Sequence, residues 1–304
     1  MALYEHFYGF RAAPFTINPD PRFLFLSRRH REALAGLVHS IDERKGFAVL
    51  AGEVGTGKTT LVHAILAELG PRARSALLFN PNLSRAELYA HLLSEFKLPE
   101  QPTVLGAIRA LNGFLLEQFA AGTRAVVVLD EAHALPAEIL EEVRLLSNFE
   151  TSQTKLLQVV LVGQPELLER LQAHELRQLR QRISLRFQLG PLTFAETVAY
   201  MRSRAQAAGG APDLFLPATF VLVYRLSGGI PRLINVLCDQ ALLAGFVRDH
   251  QQIGPEVVRV AARDLDLKPV ARVGLWQRVR GPHRRPAEPV PLIAPPGHAL
   301  ETAE

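Results

Sequence analysis

A single cysteine, Cys238, is the only thiol in the 304 residues, so neither a disulfide framework nor a Cys-based zinc site can be built from this chain. Set within Val236-Leu237-Cys238, it reads as a small buried apolar group. No stretch of about 18 uncharged apolar residues occurs, which removes a membrane-spanning helix. The N-terminus lacks a basic start followed by an apolar core, so no secretory leader is expected. These absences make a cytoplasmic protein the expectation, peripheral at the inner membrane only through a partner. Charge of one sign is lacking too. Lys and Arg total 34 against 30 Asp and Glu, a net +4, which permits nucleic acid or anionic lipid as a partner without demanding either. With 48% apolar residues, the chain can bury substantial cores, and its length suggests about two domains.

What is present is concentrated in two motifs. Residues Gly52-Glu53-Val54-Gly55-Thr56-Gly57-Lys58-Thr59-Thr60 form a complete G-x-x-x-x-G-K-[ST] phosphate-binding loop directly after the apolar run Phe47 to Ala51. Backbone N–H groups around small residues form a concave anion nest, and the helix starting near Lys58 turns its positive end toward the same phosphates. Lys58 is placed to reach the β and γ phosphates, and the Thr59 hydroxyl to complete a Mg²⁺ shell. The second motif is Val126-Val127-Val128-Leu129-Asp130-Glu131, a buried-strand run ending in two carboxylates, which is a Walker B pattern. In an open parallel sheet such residues arrive beside a ligand at the carboxyl ends of the strands. Asp130 is then expected to hold Mg²⁺ through water, and Glu131 to act as the general base that activates the attacking water. ATP and Mg²⁺ are the expected ligands.

Along the chain, residues 1–45 carry the aromatic cluster Tyr4, Phe7, Tyr8, Phe10 and Phe15, a Pro-rich turn at 18–21 and a helix near 28–43. Strands expected at 47–51, 75–79, 125–129, 156–162 and 184–188 alternate with helices at 58–69, 84–96, 103–120, 136–150 and up to about 182. This predicts an α/β fold with a five-stranded parallel sheet covered on both faces. After Gly190-Pro191 only helices are expected, near 193–208, 217–226, 231–247 and 255–264. The predicted organisation is an N-terminal segment 1–45 contributing to the nucleotide pocket, a P-loop core at 46–190, a small all-helical lid at 191–266 and a flexible Pro/Arg-rich tail at 267–304.

Longer stretches carry a resemblance. Pro14-Phe15, then Asn18-Pro19-Asp20-Pro21-Arg22-Phe23-Leu24-Phe25-Leu26-Ser27, His30-Arg31-Glu32-Ala33-Leu34 and the phosphate loop resemble the ExeA or general secretion pathway protein A group of AAA+ ATPases. Leu161 to Leu167, Leu176 to Ile183 and Ser227-Gly228-Gly229-Ile230-Pro231-Arg232-Leu233-Ile234-Asn235 extend the similarity in order and spacing, over roughly residues 4–265. The resemblance implies a sensor 1 role for Gln164, at the end of the fourth strand, with a loop-capping amide as the alternative. Asn80, ending the second strand, could restrain Glu131 until a partner binds, although Asn80-Pro81-Asn82 is also good turn chemistry. It further implies a sensor 2 role for Arg232, after the Gly228-Gly229 hinge. An arginine finger for a neighbouring subunit is implied among Arg182, Arg180 and Arg177, with Arg182 favoured, although three arginines within six residues could equally be a solvated basic face.

Two departures stand out. Asp130-Glu131-Ala132-His133 has histidine where similar ATPases commonly carry glutamine, and it also spells the DEAH box of a helicase class. One sheet followed by a small helical domain argues against that class, and His133 reads as a polar residue hydrogen-bonding near the site. The second departure is the tail with Trp276, Arg278, Arg280, His283, Arg284 and Arg285, where secretion-type relatives can continue into a membrane span and a peptidoglycan-binding domain. Two functional classes follow as expectations. One is a homo-oligomeric ATPase that serves a secretion, pilus or exopolysaccharide-export machine through a membrane-protein partner. The other is a DNA-associated regulator resembling transposition helper ATPases.

Overall fold

Strand residues of opposite parity feed two different cores in the computed structural model, which describes residues 3–17, 20–79 and 83–269. Five strands are present, β1 (Phe47–Gly52), β2 (Ala73–Leu78), β3 (Arg124–Leu129), β4 (Leu157–Gly163) and β5 (Ile183–Leu189). Phe47, Val49, Val127, Leu129, Val159 and Leu161 point to one face. Their neighbours Ala48, Leu50, Val126, Val128, Val160 and Val162 point to the other. Such continuous apolar runs mark strands buried on both faces of a parallel sheet. The sheet is wholly parallel in the order β2-β3-β4-β1-β5, with Val49 opposite Leu161. β5 alternates half-buried and exposed residues until Leu189, as an edge strand should.

Helices α1 (Arg28–Asp42) and α2 (Lys58–Leu69) cover one face, and α3 (Arg85–Glu95), α4 (Val104–Ala120) and α5 (Ala137–Leu146) the other. The short helices α6 (Glu166–Arg170) and α7 (Arg177–Arg182) lead into β5. Local chemistry places the boundaries. Ser27 caps α1 and Ser84 forms a reciprocal capping box with Glu87 at α3. The helix expected over 136–150 stops at Leu146, because residues 151–154 form a tight turn that pairs Glu150 antiparallel to Lys155 before β4 begins.

Beyond β5 come α8 (Phe194–Ala207), α9 (Pro217–Ser227), α10 (Pro231–Val247) and α11 (Pro255–Asp264). A capping box of Thr193 and Glu196 starts α8, and prolines open the other three where a missing N–H is harmless. These helices form a third core around Met201, Val223, Leu237 and Cys238. The N-terminal aromatics belong to it. Tyr4, Tyr8, Phe10, Phe15 and Phe23 are buried there, Phe15 edge-on to Phe215 at 5.8 Å. The Tyr8 hydroxyl donates to the His250 carbonyl at 3.0 Å, and that of Tyr4 to Asp239. Residues 3–17 therefore form a strap packed on the helical unit rather than on the sheet. The proposed role of Asn80 and the arginines of the tail lie outside the described residues.

Candidate nucleotide-binding site

The carboxyl end of the sheet is a chemical seam where β1, β3 and β4 each deliver polar residues from a dry interior. β1 runs into the phosphate loop, in which Gly55 and Gly57 have φ of +79° and +93°, a region that side chains rarely enter. Gly57 leads directly into α2, so the first N–H groups of α2 face the concavity of the loop. Thr56 is fully buried and ties the loop on itself, its Oγ1 donating to the Glu53 carbonyl at 2.7 Å. Lys58 is 7% exposed, and its Nζ donates to the carbonyls of Gly52 at 2.7 Å and Glu53 at 3.1 Å. Burial lowers the affinity of this ammonium for its proton, and the nearby Glu131, Asp130, Glu53 and Glu166 oppose that effect.

β3 brings Asp130, 6% exposed, beside the loop, where its Oδ2 accepts from Thr59 Oγ1 at 3.1 Å. This pair is an all-oxygen donor set suited to Mg²⁺. Among the described residues no cluster of three or more His, Cys, Asp or Glu forms a metal cage. Few protein ligands are what Mg²⁺ uses when phosphates and waters complete its shell. Glu131 follows in a left-handed conformation, φ +52°, which is strained for a side-chain-bearing residue. Its carboxylate, 47% exposed, lies 3.3 Å from Nδ1 of the more buried His133. Gln164 follows β4, and its side-chain Nε2 lies 3.1 Å from His133 Nε2.

The opposite wall comes from the strap and the helical unit. A cleft of about 430 Å³ runs from Lys58, Thr59 and Glu131 past Arg232 to an apolar end that includes Phe23, Phe25 and Tyr200. Arg232 presses on the phosphate loop, its N–H donating to the Gly55 carbonyl at 3.2 Å. A Cβ on Gly55 would stand 2.6 Å from that of Arg232. The hinge beside it is equally tight, because a Cβ on Gly229 would collide with the Leu192 carbonyl.

Four residues escaped assignment from sequence. Arg204, 7% exposed, donates to the carbonyls of Pro14 at 2.5 Å and Thr16 at 3.2 Å and lies over the rings of Phe23 and Tyr200. Tyr200 donates to Asn235 Oδ1 at 2.7 Å, and Asn235 donates to the Thr16 carbonyl at 3.1 Å. His30 receives the Ser27 hydroxyl contact at Nδ1, 2.6 Å, and its Nε2 meets the Thr56 carbonyl of the loop at 2.9 Å. The i, i+4 spacing of Tyr200 and Arg204 and the Ser-x-x-His spacing of Ser27 and His30 were the available signals.

The candidate finger arginines sit away from the cleft. Arg182 Nη1 donates to Ser147 Oγ at 2.5 Å and Arg180 Nη1 to Gln172 Oε1 at 2.7 Å. Arg177 is exposed and borders a shallow notch with His174, Glu175, Gln178 and Gln181.

A phosphate loop after β1, acidic residues after β3 and a polar residue after β4, in a sheet ordered β2-β3-β4-β1-β5 and followed by a helical unit, define a P-loop NTPase of the AAA+ class. The description "AAA domain" matches residues 41–171. The chain has the AAA+ P-loop fold and is similar in sequence to general secretion pathway protein A. It is 43% identical over 277 residues to General secretion pathway protein A of Aeromonas hydrophila, covering 90% of this chain and 50% of that protein. The chain thus spans about half the length of this curated relative. Among solved structures it is similar in fold to the Aeropyrum pernix ORC2 protein, with a TM-score of 0.65 at 18% identity over 84% of this chain and 72% of that one. The Thermotoga maritima RuvB branch migration motor gives a TM-score of 0.56 at 20% identity, covering 79% and 70%. The parallel five-stranded fold expected from sequence is the fold observed.

Proposed function

We propose that the chain binds ATP with Mg²⁺ between the sheet and the helical unit and hydrolyses it, driving or regulating the assembly of a bacterial secretion, pilus or exopolysaccharide-export machine. The observation that carries the hydrolytic part is the convergence of Lys58, Thr59, Glu131 and Arg232 on one cleft, with Asp130 bonded to Thr59 behind it. The 43% identity to General secretion pathway protein A supports the process. In this reading the phosphate loop from Gly52 to Thr60 cradles the phosphates, and Lys58 exchanges the Gly52 and Glu53 carbonyls for the β and γ oxygens. Thr59 and Asp130 would hold Mg²⁺, Asp130 through water, which would neutralise charge on those oxygens. Glu131 orients and deprotonates the attacking water. Arg232 reaches the γ-phosphate from the helical unit, and Gln164 senses it from β4. An arginine of α7, Arg182, Arg180 or Arg177, serves a neighbouring copy, so ATP binding favours a homo-oligomer. Arg182 would first release Ser147, whereas Arg177 is already exposed.

The test is ATP turnover per subunit across a protein-concentration series, with and without double-stranded DNA. Specific activity that rises with concentration irrespective of DNA supports the assembly ATPase. Turnover that requires DNA, and weakens steeply with salt, transfers the chain to a DNA-associated role. Lys58→Ala should reduce nucleotide affinity at least about 100-fold, whereas Glu131→Gln should keep binding and lower kcat about 100-fold or more. Normal turnover in either variant refutes the site.

A further inference from the structure

We infer that His133 is a positioning residue that couples the Gln164 amide to the Glu131 carboxylate, an inference that rests on the hydrolytic reading of Glu131. His133 lies in a short helical turn, Ala132–Ala134, between the two groups. Its Nδ1 is 3.3 Å from Glu131 Oε2, and its Nε2 is 3.1 Å from the Gln164 side-chain nitrogen. One neutral tautomer serves both contacts. Nδ1–H donates to the carboxylate, and Nε2 accepts from the amide. The other tautomer turns a lone pair at Nδ1 toward the Glu131 oxygens, as the Gln164 backbone N–H, 3.4 Å from Nδ1, would require. The proton position on this ring therefore follows the way the Gln164 amide faces.

The surroundings hold the ring for that task. Gly163 lies against it, and a Cβ there would stand 3.2 Å from His133 N and 3.4 Å from Nδ1. Arg170 donates to the carbonyls of His133 and, at 2.8 Å, of Leu135, clamping the turn. Glu131 itself has a left-handed backbone and a half-exposed carboxylate. Without the imidazole, its side chain has no partner among the described residues to choose one rotamer near the attacking water. A misplacement of about 1 Å in a reacting group can lower a rate by up to about 100-fold. A Gln164 amide drawn toward a γ-phosphate pulls on the same ring that steers Glu131, so phosphate sensing and base placement become one event.

The experiment compares wild type, His133→Ala, His133→Gln and Glu131→Gln for kcat, KM and the Kd of a fluorescent ATP analogue, at the protein concentration giving maximal turnover. The expected result is a kcat about tenfold lower for His133→Ala, with Kd within twofold of wild type. His133→Gln, whose amide can both donate to Glu131 and accept from Gln164, should return kcat to within threefold. If His133→Ala fails to fold, His133→Asn, too short to span both partners, takes its place with the same expected loss. Wild-type kcat in the Ala or Asn variant, or a Gln variant as slow as they are, overturns the coupling. Glu131→Gln separates the two levels. If it is inactive while His133→Ala is unimpaired, only the coupling falls; if it turns over normally, the reading of Glu131 as the base falls and takes the coupling with it.

Discussion

Replacing Arg204 with methionine removes a guanidinium from the wall of the cleft while keeping an unbranched stem of similar reach. Three charge-assisted hydrogen bonds disappear, to the carbonyls of Pro14 at 2.5 Å and Thr16 at 3.2 Å and to the Tyr200 hydroxyl at 3.2 Å, and such bonds each contribute about 1.5–3 kcal/mol net. The Thr16 carbonyl keeps its bond from Asn235 at 3.1 Å, so the second loss is the smaller. Stacking over Phe23 at 5.0 Å and Tyr200 at 5.6 Å is lost as well, about 0.5–1 kcal/mol for each ring. Against this, a 7% exposed cation no longer has to be held out of water, which returns part of its desolvation. The balance is a loss of about 2–4 kcal/mol. For a folded unit of this size, each kcal/mol corresponds to about 2 °C in Tm, so a fall of about 4–8 °C is expected in a thermal melt. Because the released strap lines the cleft beside Phe23, the Kd for an ATP analogue should also rise, about three- to tenfold. A Tm within about 1 °C of wild type together with an unchanged Kd would refute the claim that Arg204 fastens the strap to the helical unit.

Acid should loosen the phosphate loop through His30. Its ring is 6% exposed and bridges Ser27 to the Thr56 carbonyl as a neutral tautomer, and burial lowers its pKa below the ordinary 6.5. The unfolded chain then binds the proton more readily, so this stability is complete above about pH 6.5 and is lost as pH falls toward the lowered folded value. Urea midpoints measured from about pH 7 to pH 5 should decline, and His30→Gln should flatten that part of the slope. Cys238 is completely buried, and burial raises its thiol pKa far above the usual value. An aromatic disulfide reagent should leave it untouched in the folded chain and titrate one thiol in urea; fast labelling of the native protein would contradict the packing of α10.

The phosphate loop and the acidic strand end were legible in sequence because each is a local object. A run such as Val126 to Leu129 announces a buried strand, and the residues after it fall at the sheet edge by necessity. The order of elements followed for the same reason, with errors confined to ends such as Leu146, where a tight turn overrode a helical pattern. The other wall of the cleft was hidden. Arg204 meets Pro14 across 190 residues and Asn235 meets Thr16 across 219, and no periodicity encodes pairs of that separation. The aromatic strap could be seen as a cluster, yet its attachment to the helical unit emerged only from packing. His133 was recognised as a polar neighbour of the site; its position between Glu131 and Gln164 depends on Gly163 and Arg170 arriving from another strand and helix.

If nucleotide rearranges the phosphate loop as proposed, the contact between Gly55 and Arg232 would act as the short end of a lever. α10 begins at Pro231 and runs for 17 residues, about 25 Å at 1.5 Å per residue. A tilt of about 10° forced at the loop, such as a rearranged Gly55 carbonyl would impose on the Arg232 N–H, carries the far end of that rod through about 4 Å. Val247, 71% exposed at that far end, would then lie where a sub-ångström shift of the loop reaches the largest amplitude this helix can deliver.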